Sequence, residues 1–231
     1  PRSGQLYIYS ADQTSAIRPF TSEDNADHGQ LWAPIVPSSQ VVIELTIDQS
    51  EMHLLDLELG SINVGYRGYG LADLTMADAP SPRSGACNLD VVCSIADPWD
   101  LQIPGVSVLQ ISGSLNCTSF MVNNTAQDLK PYLQTANHCG VTAGTAATVV
   151  AYWNYQNSTC RPPGSAASGG PGDGTLTQFN SGSTFRAASA ASDFTLVELS
   201  SSPNPAWAVS WLGWDRTGAN PPDGACIHHP S

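Results

Sequence analysis

Positive charge is scarce in this chain: Lys and Arg together number 8 against 20 Asp and Glu, leaving a net charge of −12. Nucleic-acid binding draws its affinity from phosphates neutralised by a basic face, so nucleic acid is not an expected partner. Charged residues of either sign make up only 12% of the chain. No apolar run approaches the ~20 residues of a membrane-spanning helix, and no signal peptide is legible. The opening residues already read as a strand, so any export signal is expected upstream. None of the six cysteines, at positions 87, 93, 117, 139, 160 and 226, stands in a Cys-x-x-Cys pair. Metal clusters use tighter paired spacing, so the expectation is no metal and disulfides formed in an oxidising compartment. Long 3.6-residue periodicity is also missing.

Turn formers and short apolar runs are abundant. Gly (20) and Pro (17) accompany a hydrophobic content of 41%, the profile of an all-β protein with short strands and many turns. Residues 1–70 read as a compact β unit. LYIY (6–9) is a short apolar run, and QVVIELTI (40–47) and HLLDLEL (53–59) alternate as half-buried strands do. LWAPIVP (31–37), with two prolines, suits an edge or turn. Residues 71–83 lose periodicity and end in Pro-Ser-Pro-Arg, the composition of an exposed linker with a possible processing site at Arg83–Ser84. From 84 to 231 strands recur: VSVLQI (106–111), SFMV (119–122), AATVVAYWNY (146–155) and DFTLVEL (193–199). Residues 161–183 read as a Gly/Ser/Pro-rich surface loop. This second part is expected to be a β-barrel or sandwich with Greek-key connections.

The most informative string is TANHC (135–139), followed by Gly140. A disulfide at Cys139 would pin the backbone beside the His138 imidazole, and a general base must be held in one orientation. Asp193 precedes an alternating apolar strand, where its carboxylate can accept the other imidazole N–H and fix the tautomer. Each residue alone is more often structural, His138 as a satisfied histidine and Asp193 as a turn residue. In this order, with the cysteine alongside, the pair points to general-base chemistry. His228 and His229 are adjacent, so their side chains diverge on a strand and rarely share an ion. GPGDGT (170–175) lacks a serine at the place a nucleophile would need one.

TANHC resembles the active-site histidine motif of trypsin-like proteases, and DFTLVEL resembles their aspartate strand. SGACNLDVVC (84–93), CTSFMVNNTAQDLKPY (117–132), VVAYWNYQNSTCRPP (149–163) and HHP (228–230) resemble bacterial lysyl endopeptidases. Residues 1–83, through LWAPIVP and GYRGYG (65–70), resemble the β-rich pro-region of related precursors. The resemblance implies a secreted, chymotrypsin-fold serine endopeptidase precursor. It would comprise a pro-region, the first Greek-key barrel and the start of the second. His138 would be the general base and Asp193 its orienting partner. Cys117 would pair with Cys139 and Cys93 with Cys160, while Cys87 would pair beyond residue 231. Mature enzyme would begin near Arg83–Ser84. No cofactor is implied. The substrate would be a protein or peptide, cut after Lys or another basic residue. The serine, oxyanion donors and specificity pocket would lie in a second barrel, supplied in cis or as a separate chain.

Two residues depart from the family. Gln134 stands where an apolar residue is usual, and must find a hydrogen bond, reach solvent, or cost about 1–3 kcal/mol. Cys226 also replaces an apolar residue, leaving it unpaired or bridged to Cys87. With no serine assigned, the competing expectation is a non-catalytic protease homologue or binding module.

Overall fold

Two antiparallel sheets hold the strands of the computed structural model, which describes residues 1–64, 88–165, 167–168, 172–220 and 222–229, excepting the side chains of Leu115 and Asn116. Strands β1 (Gln5–Ser10) and β2 (Val41–Thr46) form the smaller sheet. The larger has seven strands: β3 (Val106–Ile111), β4 (Ser114–Met121), β5 (Tyr132–Thr135), β6 (Val150–Trp153), β7 (Phe179–Ser181), β8 (Ser183–Ser189) and β9 (Phe194–Leu199). Their order is β7-β6-β3-β4-β5-β9-β8. The protein is therefore mostly β; among the described residues the helical pieces are short 3-10 turns.

Strands β7 and β8 stand at opposite ends of this order, yet only Gly182 separates them in the chain. One bent segment thus pairs first with β6 and then with β9, and the sheet curls round on itself. Gly182 takes a left-handed φ of 80° at the bend. A Cβ there would lie 2.9 Å from both His28 Nε2 and Ser200 Oγ, so the corner needs glycine on conformational and steric grounds.

Alternation along the strands sorts side chains to the two faces. Leu109, Met121, Leu133, Ala151, Trp153 and Val197, from five strands, meet in the main core. Val108, Val150, Tyr152 and Phe179 point the other way and are covered by residues of the first unit, chiefly Phe20, Leu6, Ile8 and Trp32. Phe20 and Phe179 ring centroids lie 6.3 Å apart, with the Arg18 guanidinium 5.1 and 5.7 Å from the two rings. The Ile35 N–H donates to Tyr152 Oη at 3.2 Å, and that hydroxyl donates to Gln110 Oε1 at 2.7 Å. Strand β3 is consequently buried along its whole length.

Several sequence expectations need correction. HLLDLEL forms no strand: Gln49–Leu54 is a 3-10 turn, and the following stretch is irregular. Its leucines alternate, but no described strand pairs with them, and β2 pairs only with β1. AATVVAYWNY yields only the four residues of β6. The Thr148 hydroxyl donates to Thr145 O at 2.7 Å and closes a 3-10 turn over Ala146–Thr148. Residues 161–183 are not loop throughout, because Phe179 and Asn180 are buried in β7. Strands β5 and β8 lacked a distinct sequence signal. GYRGYG, the 71–83 linker, Arg83, Ser84 and Cys87 lie outside the described residues.

Candidate active site

Strand β5 runs antiparallel to β9 with Thr135 opposite Thr195. The chain just after Thr135 therefore lies beside the chain just before Thr195, and this register brings His138 to Asp193. Residues Asn137–Cys139 form a single 3-10 turn, which Gly140 ends at a left-handed φ of 83°. Asp193 also takes a left-handed φ, 50°, a conformation Asp adopts more readily than most residues. It closes the β8–β9 hairpin and turns its carboxylate towards the histidine turn.

The carboxylate meets His138 twice. Asp193 Oδ1 accepts the His138 backbone N–H at 2.9 Å, and Oδ2 lies 2.7 Å from ring Nδ1. This second contact leaves Nε2 as the nitrogen turned to other business. The backbone N–H of His138, and after it the ring, holds the Asp193 carboxyl below the usual carboxylate range. It stays ionised at neutral pH, as a partner for an imidazolium must. The side chains are 73% and 51% exposed. An exposed ion pair contributes only about 0–1 kcal/mol to stability, so the fold has little need of this one.

Other side chains fix the turn. The sulfurs of Cys117, on β4, and Cys139 are bonded, tying the residue after His138 to the seven-stranded sheet. The Thr135 hydroxyl donates to Thr118 O at 2.9 Å. Asn137 Nδ2 donates to the buried Thr195 Oγ1 at 3.4 Å, joining the histidine turn to the aspartate strand. The sequence reading passed over Asn137 and Thr195, since neither residue type signals this pairing. Sulfurs of Cys117 and Cys139 lie within 4.8 Å of a His138 ring nitrogen, but the disulfide leaves that trio without a thiolate for a metal.

Away from this turn, Cys93 is bonded to Cys160. Beside it Asp90 accepts from Arg161 N and Nε at 2.9 Å each, from Arg161 Nη2 at 2.8 Å, and from Asn157 Nδ2 at 2.6 Å. The two charged side chains are only 15% and 13% exposed. The Arg161 side chain, then its backbone N–H and Asn157, hold the Asp90 carboxyl below the usual range, against the opposing effect of burial. Because the folded value is depressed, this contribution to stability is full above the unfolded pKa and is lost as pH falls through the folded value. Asp90→Ala is expected to cost about 3 kcal/mol in urea unfolding at neutral pH, since it removes a charged partner from a largely buried arginine, and less in acid.

Gln134 sits half-buried on β5, alternating with buried Leu133 and Thr135, so its side chain faces away from the main core. Cys226 is exposed and free. His228 is exposed, whereas His229 is half-buried with its ring centroid 5.9 Å from that of Tyr155. Burial, and to a lesser degree His228, pushes its pKa down to about 4. Its backbone N–H donates to Thr118 Oγ1 at 2.9 Å, bringing the far end of the chain back to β4 next to Cys117. Among the described residues no helix is long and apolar enough to cross a membrane.

A lysyl endopeptidase of Pseudomonas aeruginosa is 27% identical over 234 residues, covering 97% of this chain and 49% of that protein. The chain thus spans about half the length of the curated relative it matches. Residues 81–231 match the family described as "Lysyl endopeptidase, C-terminal domain". With well over half its length in that match, the chain belongs to the lysyl endopeptidase C-terminal domain family.

Proposed function

We propose that the full-length protein is a secreted serine endopeptidase of chymotrypsin-like fold, and that His138 and Asp193 are its general base and orienting acid. The observation that carries this is the 2.7 Å contact between His138 Nδ1 and Asp193 Oδ2, backed by the 2.9 Å bond from the His138 backbone N–H. With Nδ1–H donated to the carboxylate, Nε2 is free to take the proton of a serine hydroxyl as that oxygen attacks the peptide carbonyl. The same nitrogen then returns the proton to the leaving amine. Asp193 stabilises the imidazolium in between.

The serine, the oxyanion donors and the specificity pocket belong, in this reading, to a second barrel outside this chain. The seven-stranded sheet is the first barrel. Residues 1–70 are a pro-region, 71–83 a linker, and Arg83–Ser84 the processing junction ahead of the catalytic part, 84–231. The family name favours cleavage after Lys. The two disulfides favour an extracellular or otherwise oxidising location. The purified full-length protein should cleave a peptide after Lys and lose that activity when an organophosphorus reagent labels one serine. Cleavage that survives such labelling would contradict the serine mechanism, and a protein that neither cleaves nor labels would favour the non-catalytic homologue.

A further inference from the structure

Strands β4, β5 and β9 carry two neighbouring rows of buried side chains on one face. Met121, Leu133 and Val197 stand opposite one another and belong to the main core. Two residues along each strand, towards the histidine turn, Ser119, Thr135 and Thr195 stand opposite one another, and all three are buried. Ser107 of β3 extends this second row, its hydroxyl 2.7 Å from that of Ser119. A row of hydroxyls thus lies between the apolar row and the turn that carries His138. We infer that Asn137 and Thr195, at the end of this row, are positioning residues that hold His138 against Asp193. The inference rests on the reading of that pair as general base and orienting acid.

The hydroxyls have partners that fit one register. Ser107 and Ser119 bond each other, Thr135 Oγ1 donates to Thr118 O at 2.9 Å, and Thr195 Oγ1 accepts from Asn137 Nδ2 at 3.4 Å. A one-residue slip of β9 against β5 would turn its side chains to the wrong face. A two-residue slip would keep the faces, yet it would set Thr135 opposite Val197 and carry Asp193 about 7 Å along the strand from His138. It would also take Thr195 away from Asn137. Thr195 is fully buried, and among the described residues Asn137 Nδ2 is its side-chain partner. That bond is long, and its weight comes from what its loss leaves behind, a buried hydroxyl without a partner. Asn137 opens the 3-10 turn Asn137–Cys139, directly before His138, and Thr195 follows Asp193 by two residues. The bond therefore ties the two segments together from the core side, whereas the His138–Asp193 contact ties them on the exposed side. The His138 backbone N–H and ring, and to a smaller degree the Asn137 N–H, hold the Asp193 carboxyl below its usual range. A turn that drifted from β9 would loosen all of these contacts at once.

The test compares Asn137→Ala, Thr195→Val, Thr195→Ser and the double variant Asn137→Ala/Thr195→Val in the full-length protein. Two quantities are read: kcat and KM on a lysyl peptide, and the low-field proton NMR signal of His138 Nδ1–H, which reports its bond to the carboxylate. Asn137→Ala and Thr195→Val are each expected to lower kcat on the order of 10- to 100-fold with KM little changed. Each should also shift the Nδ1–H signal to higher field or broaden it. Thr195→Ser, which keeps the hydroxyl, should retain most of the activity and the signal. The double variant should lose no more than the worse single one, because both remove one shared interaction. Near-ultraviolet circular dichroism checks that each variant is folded. Wild-type kcat and an unchanged Nδ1–H signal in Asn137→Ala overturn the inference, and so do single losses that multiply in the double variant. If Thr195→Val does not fold, Asn137→Ala decides alone in the same terms. If the unaltered full-length protein cuts no lysyl peptide and labels no serine, the endopeptidase reading fails, and the Nδ1–H signal of the same variants still supports or overturns the positioning of His138.

Discussion

Replacing His138 with alanine in the full-length protein is expected to lower kcat for peptide hydrolysis by a factor on the order of 10⁶, with KM little changed. The size of the effect follows from what the imidazole does. As the proposed general base it would remove a proton during attack and return it during departure of the amine, and among the described residues of its turn no other side chain is placed to substitute. Among the described residues, the neighbours of His138 in the turn are Asn137 and Cys139. The first is an amide bonded towards Thr195 and the second is locked in a disulfide. Neither can accept a proton near neutral pH. Stability should barely change, because the pair lost is largely exposed. A large loss of activity without a loss of stability separates a general base from a structural histidine.

Asp193→Asn is expected to reduce kcat by about 10⁴ while the fold survives. Asn presents an amide N–H₂ as well as a carbonyl, and its N–H can donate a hydrogen bond to an unprotonated Nδ1. The imidazole would then carry its proton on Nε2, the nitrogen that must be free. The backbone bond from His138 N–H to Oδ1 can be kept by the amide oxygen, which is why geometry should persist. Part of the activity should return at high pH if the defect lies in the tautomer. A uniform loss across pH, accompanied by lowered stability, would instead indicate that Asp193 serves the hairpin rather than the histidine. Its left-handed φ of 50° gives that alternative a real basis, since Asn tolerates the conformation as well as Asp does and Ala does not. Comparing Asp193→Asn with Asp193→Ala therefore divides the two roles.

How far these features could be read from sequence varied with how locally they are encoded. Strand β9 was visible as DFTLVEL because its residues alternate between buried and half-buried positions, the pattern that a paired strand with one covered face imposes. TANHC was visible because a histidine and a cysteine are adjacent. The short strands β5, YLQT, and β8, STFRAAS, were not, since four residues set no period and small residues carry little hydrophobic contrast. HLLDLEL shows the converse. It has the alternation but no described partner, and a strand is a property of a pair. The Asp90–Arg161 cluster joins residues 71 positions apart, and nothing in either local sequence points to the other. The same holds for Asn137 and Thr195. Their contact exists only because the register sets Thr135 opposite Thr195 and carries the chain one turn further. Burial of the outer face of the seven-stranded sheet under Phe20 and Trp32 was likewise not legible, since the sequence divides at a linker that suggests two independent units, while the packing makes them share a core.

The pH dependence of kcat/KM in the full-length protein, with the ionisation of His138 followed in the same protein by NMR, tests the general-base assignment most directly. The assignment predicts that activity falls in acid with the loss of one ionisation, and that the midpoint coincides with the titration of the His138 ring. Activity that stays level as the His138 ring becomes protonated would contradict it.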